Sequence, residues 1–357
     1  QENQQYHVQV SGGVNAFSTM RGATDDEQNV SGYFVISGKA LLHNQEALTK
    51  LLYETLRDAR FDETTRLREI VSQQRSRKEQ SITGQGHSLA IMAAAARLSP
   101  AAWVDQQSRG LESIRFVKAL DKQLDDAAAL QALSAKLVAM HEKIKHAPRR
   151  FLLVGEPEQQ EQLIATLKGQ WQAAPTSTAS RLKLKPTRET VKQLWTTSTQ
   201  VSFCAKAYPT VPVDHVDAAP LTILGDFLRN GYLHRAIREK GGAYGSGAGQ
   251  DSGEAVFRFF SYRDPRLTET LNDFDASINW LLSNEHDAAK LEEAILGVVS
   301  SIDKPGSPAG EAKGAYHSAL FGRTAEQRRA FRQQILNVSI DDLKRVATQY
   351  LKPELAS

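Results

Sequence analysis

Two Gly-Gly corners constrain this chain more than any other feature. Gly12-Gly13 and Gly241-Gly242 stand 229 residues apart, and the same order of patterns follows each. After the first corner come a strand pattern (Val14 to Met20), a polar turn, a second strand pattern (Ser31 to Leu41) and a run of helices. After the second come strand patterns around Ser246 to Gln250 and Glu254 to Tyr262, and again helices. The spacing is far too long for a solenoid and predicts a duplicated α+β unit. The expected organisation is one unit over 1–172, a Ser-, Thr- and Pro-rich linker over 173–184, and a second unit over 185–357. The second unit has a strand and a helix ahead of its corner, and the first has almost nothing. The first ends on a strand and a helix, and the second stops without them. The chain therefore reads as clipped at both ends: its first unit lacks an initial strand and helix, and its second lacks a last strand.

Leu221 to Gly249 is the most informative stretch. Leu221, Leu224, Leu228 and Tyr232 recur at helical spacing, with Asp217 as N-cap and Pro220 in the first turn. Arg238 falls in the last turn, where a cation suits the helix dipole. Gly241 and Gly242 stop the helix. Tyr244 follows at once, so a guanidinium and a phenol share a helix-to-strand corner. An ordinary cap and an ordinary packed tyrosine would look the same at this level. Gly245, Gly247 and Gly249 do not form a dinucleotide loop, because no strand precedes them and no helix opens after them.

Several classes are disfavoured. The apolar run Ala90 to Ala96 is far short of a membrane span, and Gln1 to Gln5 carry no basic and apolar leader pattern. The basic clusters at Arg75-Ser76-Arg77-Lys78 and 181–188 lack interleaved aromatics. They read as solvated faces rather than a nucleic-acid platform. One cysteine, Cys204, precludes an internal disulfide and a cysteine zinc cluster, fits a reducing compartment, and lies in an apolar pattern expected to bury it. None of the nine histidines has a partner four residues away, which excludes both helical zinc motifs built on such a pair. His141 and His146 come nearest, but five residues are about 500° of helical turn, so the rings point apart. The pair is expected on the solvent face of one long helix, Asp121 to Lys145. Phe151 to Val154 reads as a buried-type strand. Neither a nucleophile elbow nor a phosphate-binding P-loop is present.

The octapeptide Arg-Glu-Lys-Gly-Gly-Ala-Tyr-Gly at 238–245, after a Leu-rich helix and before two strands, resembles the C-terminal half of M16 metallopeptidases, in the presequence protease branch. Ser11-Gly12-Gly13-Val14 and the segment from Phe257 to Pro265 support the resemblance. It implies two related α+β domains, each a mostly antiparallel sheet covered by helices. It also implies a clamshell in which an N-terminal half, on the same gene product or a partner chain, carries the zinc and this half none. Arg238 and Tyr244 match the Arg and Tyr that such halves offer to a peptide substrate across the chamber, with Gly241 and Gly242 between them. The chain would then assist zinc-dependent peptide hydrolysis without performing it alone. The other reading is a non-catalytic M16-like scaffold subunit.

Overall fold

A computed structural model describes residues 11–171 and 182–357. The first unit opens on a hairpin of β1 (Val14–Gly22) and β2 (Val30–Gly38), antiparallel from Val14↔Gly38 to Gly22↔Val30. A run of helices follows: α1 (Gln45–Arg57), α2 (Thr64–Gly84), α3 (Gly86–Ala95), α4 (Pro100–Ser108), α5 (Leu111–Gln123), α6 (Ala127–Lys145) and α7 (Gln160–Gln170).

The second unit contains β3 (Ala205–Pro209) and α8 (Ala218–Leu228), which runs on as a π-helical segment (Arg229–Lys240). Then come β4 (Gly245–Asp251), β5 (Val256–Tyr262), α9 (Thr268–Ser283), α10 (Ala288–Ile302), α11 (Pro308–Leu320), α12 (Ala325–Leu336) and α13 (Ile340–Tyr350). Its sheet has the order β3-β5-β4, antiparallel throughout.

Side-chain alternation along β5 explains how the halves join. Phe257 and Phe259 are fully buried and pack in the main core with Leu221, Leu224 and Leu228 of α8. Gly225 of that helix lies so close to β4 that a Cβ would sit 2.6 Å from Gly249 Cα. Val256 points the other way. With Ala207 it packs on Ala95, Leu98 and Ala102 of the first unit. Phe260 and Tyr262 share that face and meet the ring of His87, at the start of α3. A helix of the first unit thus covers the sheet of the second.

Four sequence expectations change. The long helix Asp121 to Lys145 is two: the Asp126 carboxylate caps α6 by accepting the Ala128 N–H at 3.0 Å. Asp121 ends up buried in α5, paired with Arg68 and Arg75 of α2. His141 is not solvent-facing; its Nε2 bonds the Leu56 carbonyl and its ring meets Phe61. Phe151 to Val154 forms no strand among the described residues and is 38–44 % exposed. An apolar run makes a strand only where a neighbouring edge accepts it, and no described strand does so here. Asp217 accepts no N–H from its helix. Its buried carboxylate instead takes the Tyr350 hydroxyl at 2.7 Å and the Arg345 guanidinium at 2.7 Å. Most of the expected linker falls within 172–181, outside the described residues.

Candidate functional site

The helix entering the corner changes register before it ends. The α-helical stripe Leu221, Leu224, Leu228 continues through Leu233 and Ile237, all fully buried. A straight α-helix would have continued through Tyr232. The wider π turn inserts one residue into the stripe, so Tyr232 moves to a half-buried margin against Trp280. Arg238 follows the last core residue and emerges exposed. Its Nη1 lies 3.4 Å from His234 Nε2, and His234 Nδ1 lies 3.4 Å from Glu239 Oε1. Among the described residues Arg238 has no carboxylate partner.

The helix closes when the Gly242 N–H donates to Arg238 O and the Ala243 N–H to Ile237 O, both at 3.1 Å. Gly242 has φ +79°, the left-handed conformation that a C-terminal glycine supplies without steric cost. Gly241 answers a different need. A Cβ there would fall 2.0 Å from Arg266 Nη2 and 2.5 Å from Ile237 O. Arg266 is anchored in turn: its Nη2 donates to Asp273 at 3.0 Å and its Nε lies 3.8 Å from Asp264. Asp264 is fully buried and accepts from the Thr270 hydroxyl at 2.7 Å and the Arg266 N–H at 3.0 Å.

Tyr244 then leads into β4. Its N–H donates to Tyr262 O at 3.0 Å, while its side chain is 69 % exposed. Arg238 and Tyr244 therefore leave the two ends of one short, internally bonded corner, and no hydrogen bond or ring contact joins them. Arg235, Lys240 and Arg263 are also exposed nearby, so the corner is cationic. Chemically it offers hydrogen-bond donors. The thiol of Cys204 is buried and pushed up by that burial, away from nucleophilic use. Among the described residues no group of three or more His, Cys, Asp or Glu could hold a metal ion, and no helix is long and apolar enough to cross a membrane.

Sequence reasoning missed Arg266, Tyr262 and His87. Period-two alternation would have separated Tyr262 from the core face shared by Phe257 and Phe259. Nothing local indicates that Arg266 lies on Gly241 or that His87 crosses between units.

Residues 1–120 match the associated family of peptidase M16, subfamily C, and residues 193–353 match the PreP C-terminal domain. The chain is similar to mitochondrial presequence proteases. It is 32% identical to that of Yarrowia lipolytica over 89% of this chain and 32% of the relative. With that of Schizosaccharomyces pombe it shares 31% identity over 96% of this chain and 34% of the relative. The chain thus spans about a third of the length of these relatives. Its fold is similar to the inactive domain of an M16 peptidase from Pseudomonas fluorescens, with a TM-score of 0.62 at 15% identity, covering 99% of this chain and 81% of that one. Fold, motif and sequence agree that this chain belongs to the M16 peptidase family, in its presequence protease branch (subfamily C), and corresponds to a C-terminal part of such proteins.

Proposed function

We propose that this chain is the zinc-free, substrate-binding half of a zinc metalloendopeptidase, closing with a zinc-bearing N-terminal half around an unstructured peptide. That half belongs to the same gene product or to a partner chain. Two related units, 1–172 and 185–357, make up the present half. The positive φ of Gly13 (+113°) and Gly242 (+79°), each leading into an antiparallel hairpin, supports the duplication.

The observation that carries the reading is the pair of exposed donors, Arg238 and Tyr244, on a corner fixed by Arg266 and the β5 ladder. Zinc in the other half supplies a water activated for attack on a peptide carbonyl. Tyr244 donates its hydroxyl proton toward the oxygen on which charge develops. Arg238 holds neighbouring substrate carbonyls with its planar fork. Gly241 leaves room for the Arg266 guanidinium and Gly242 makes the left-handed turn, which together fix the backbone between the two donors. Donors held in place before the reaction stabilise the transition state more than the ground state, and one such donor contributes about 2.7–4 kcal/mol.

The test is reconstitution. The purified chain alone should leave an unstructured peptide intact, and mixing it with its zinc-bearing half should start cleavage. Cleavage by the chain alone, or none after a complex has formed, would contradict the reading.

A further inference from the structure

The Tyr244 hydroxyl has no hydrogen-bond partner among the described residues, and its ring stands against a single aromatic wall. That wall is Tyr262, at 5.5 Å between centroids and 87° between planes. Tyr262 pairs across the ladder with Gly245, and its carbonyl accepts the Tyr244 N–H at 3.0 Å. Tyr262 is itself enclosed. The His87 ring lies 4.7 Å away at 67°, the Phe203 ring 5.9 Å away, and the Arg263 guanidinium 5.4 Å from its centroid. Phe203 is seated against Gly86, where a Cβ would lie 2.4 Å from its ring. Burial lowers the pKa of His87, and its Nδ1 is buried without a hydrogen-bond partner among the described residues. A continuous aromatic path therefore runs from α3 of the first unit to the corner of the second.

We propose that Tyr262 is a positioning residue for the reaction served by the corner: clamped by His87 and Phe203, its ring sets the direction in which the Tyr244 hydroxyl points. The inference rests on the reading of Tyr244 given above. A surface tyrosine samples several staggered rotamers. An edge-to-face partner biases that choice by roughly 2–10-fold, the population ratio expected for one aromatic pair. The ring of Tyr262 matters here and its hydroxyl does not, so phenylalanine should substitute for it and leucine should not.

Two measurements test this together. In the isolated chain, aromatic NMR signals of the Tyr244 ring should move toward those of a free tyrosine in Tyr262→Leu and stay in place in Tyr262→Phe. In the complex with the zinc-bearing half, Tyr262→Leu should lower kcat about 2–10-fold with KM nearly unchanged, and Tyr262→Phe should restore it. Adding Tyr262→Leu to Tyr244→Phe should cost nothing further. If Tyr262→Leu does not fold, His87→Leu removes the clamp from the other side and should give the same pattern at smaller amplitude. Unchanged Tyr244 signals in the leucine variant would overturn the proposal. So would full kcat in that variant while Tyr244→Phe is impaired, and the reading of Tyr244 would then survive alone. A fully active Tyr244→Phe would remove that reading, and the positioning role with it.

Discussion

Gly241 and Gly242 are adjacent, yet different forces select them, and substitution separates the two. Gly242→Ala places a Cβ on a left-handed residue, where it would meet only Pro265 Cγ at an ordinary contact distance of 3.6 Å. It should cost about 1–2 kcal/mol of stability and leave the corner's shape intact. Gly241→Ala drives a Cβ into a guanidinium and a backbone carbonyl, and the carbonyl cannot step aside. It should cost about 1–3 kcal/mol and shift Arg266 as well. Urea unfolding of both variants checks the costs; equal, negligible costs would mean the corner is loose. At this scale much was legible in the sequence. The helix stop at the two glycines and the burial of Cys204 were identifiable from residue type and setting, whereas residue type and spacing alone left Arg238 and Tyr244 open between capping and packing on one side and a site on the other. Asp217 was misread because its acidic side chain serves a distant Tyr350 and Arg345 rather than its own helix.

At the scale of elements, helix α13 matches its sequence pattern from Ile340 to Tyr350, because a Ser339–Asp342 capping box and an apolar stripe agree there. The π segment was hidden, since its cause is tertiary. Leu233 and Ile237 gain full burial only through the shift of register, and periodicity assumes a constant turn. The β4–β5 hairpin carries a further consequence. Burial, with help from nearby Asp251 and Asp105, pushes the Glu254 carboxyl up to about 8, against the opposing pull of Arg258. An acid raised in the folded state binds a proton there that the unfolded chain has released. Its stabilising contribution is complete below its ordinary value of 4.5 and is lost as pH rises toward 8. The difference in urea midpoint between wild type and Glu254→Gln should therefore grow in favour of the variant from about pH 5 to about pH 8.5. A difference independent of pH would show that Glu254 ionises normally.

For the whole molecule, the decisive feature is the sheet of the second unit, lined by α8 on one face and by α3 on the other. The two hairpins and most of the helices that follow them were legible in the sequence, because turns and periodicities are local. The cross-unit cover was not, because Ala95, Leu98 and Val256 acquire their shared core only through long-range packing. The same whole-molecule view makes a metal prediction: purified, tag-free chain should contain far less than one equivalent of zinc by elemental analysis, and one tightly bound equivalent would contradict it. The central claim is that the corner assists hydrolysis carried out with the other half, and kcat/KM of corner variants in the reconstituted complex tests it most directly. Tyr244→Phe removes one phenolic donor and little volume, so kcat/KM should fall by roughly 10²–10³, with Arg238→Lys also impaired and the melting temperature nearly unchanged. Full activity in both variants, beside clear destabilisation by a core change such as Leu228→Ala, would contradict the account and leave this chain as a scaffold.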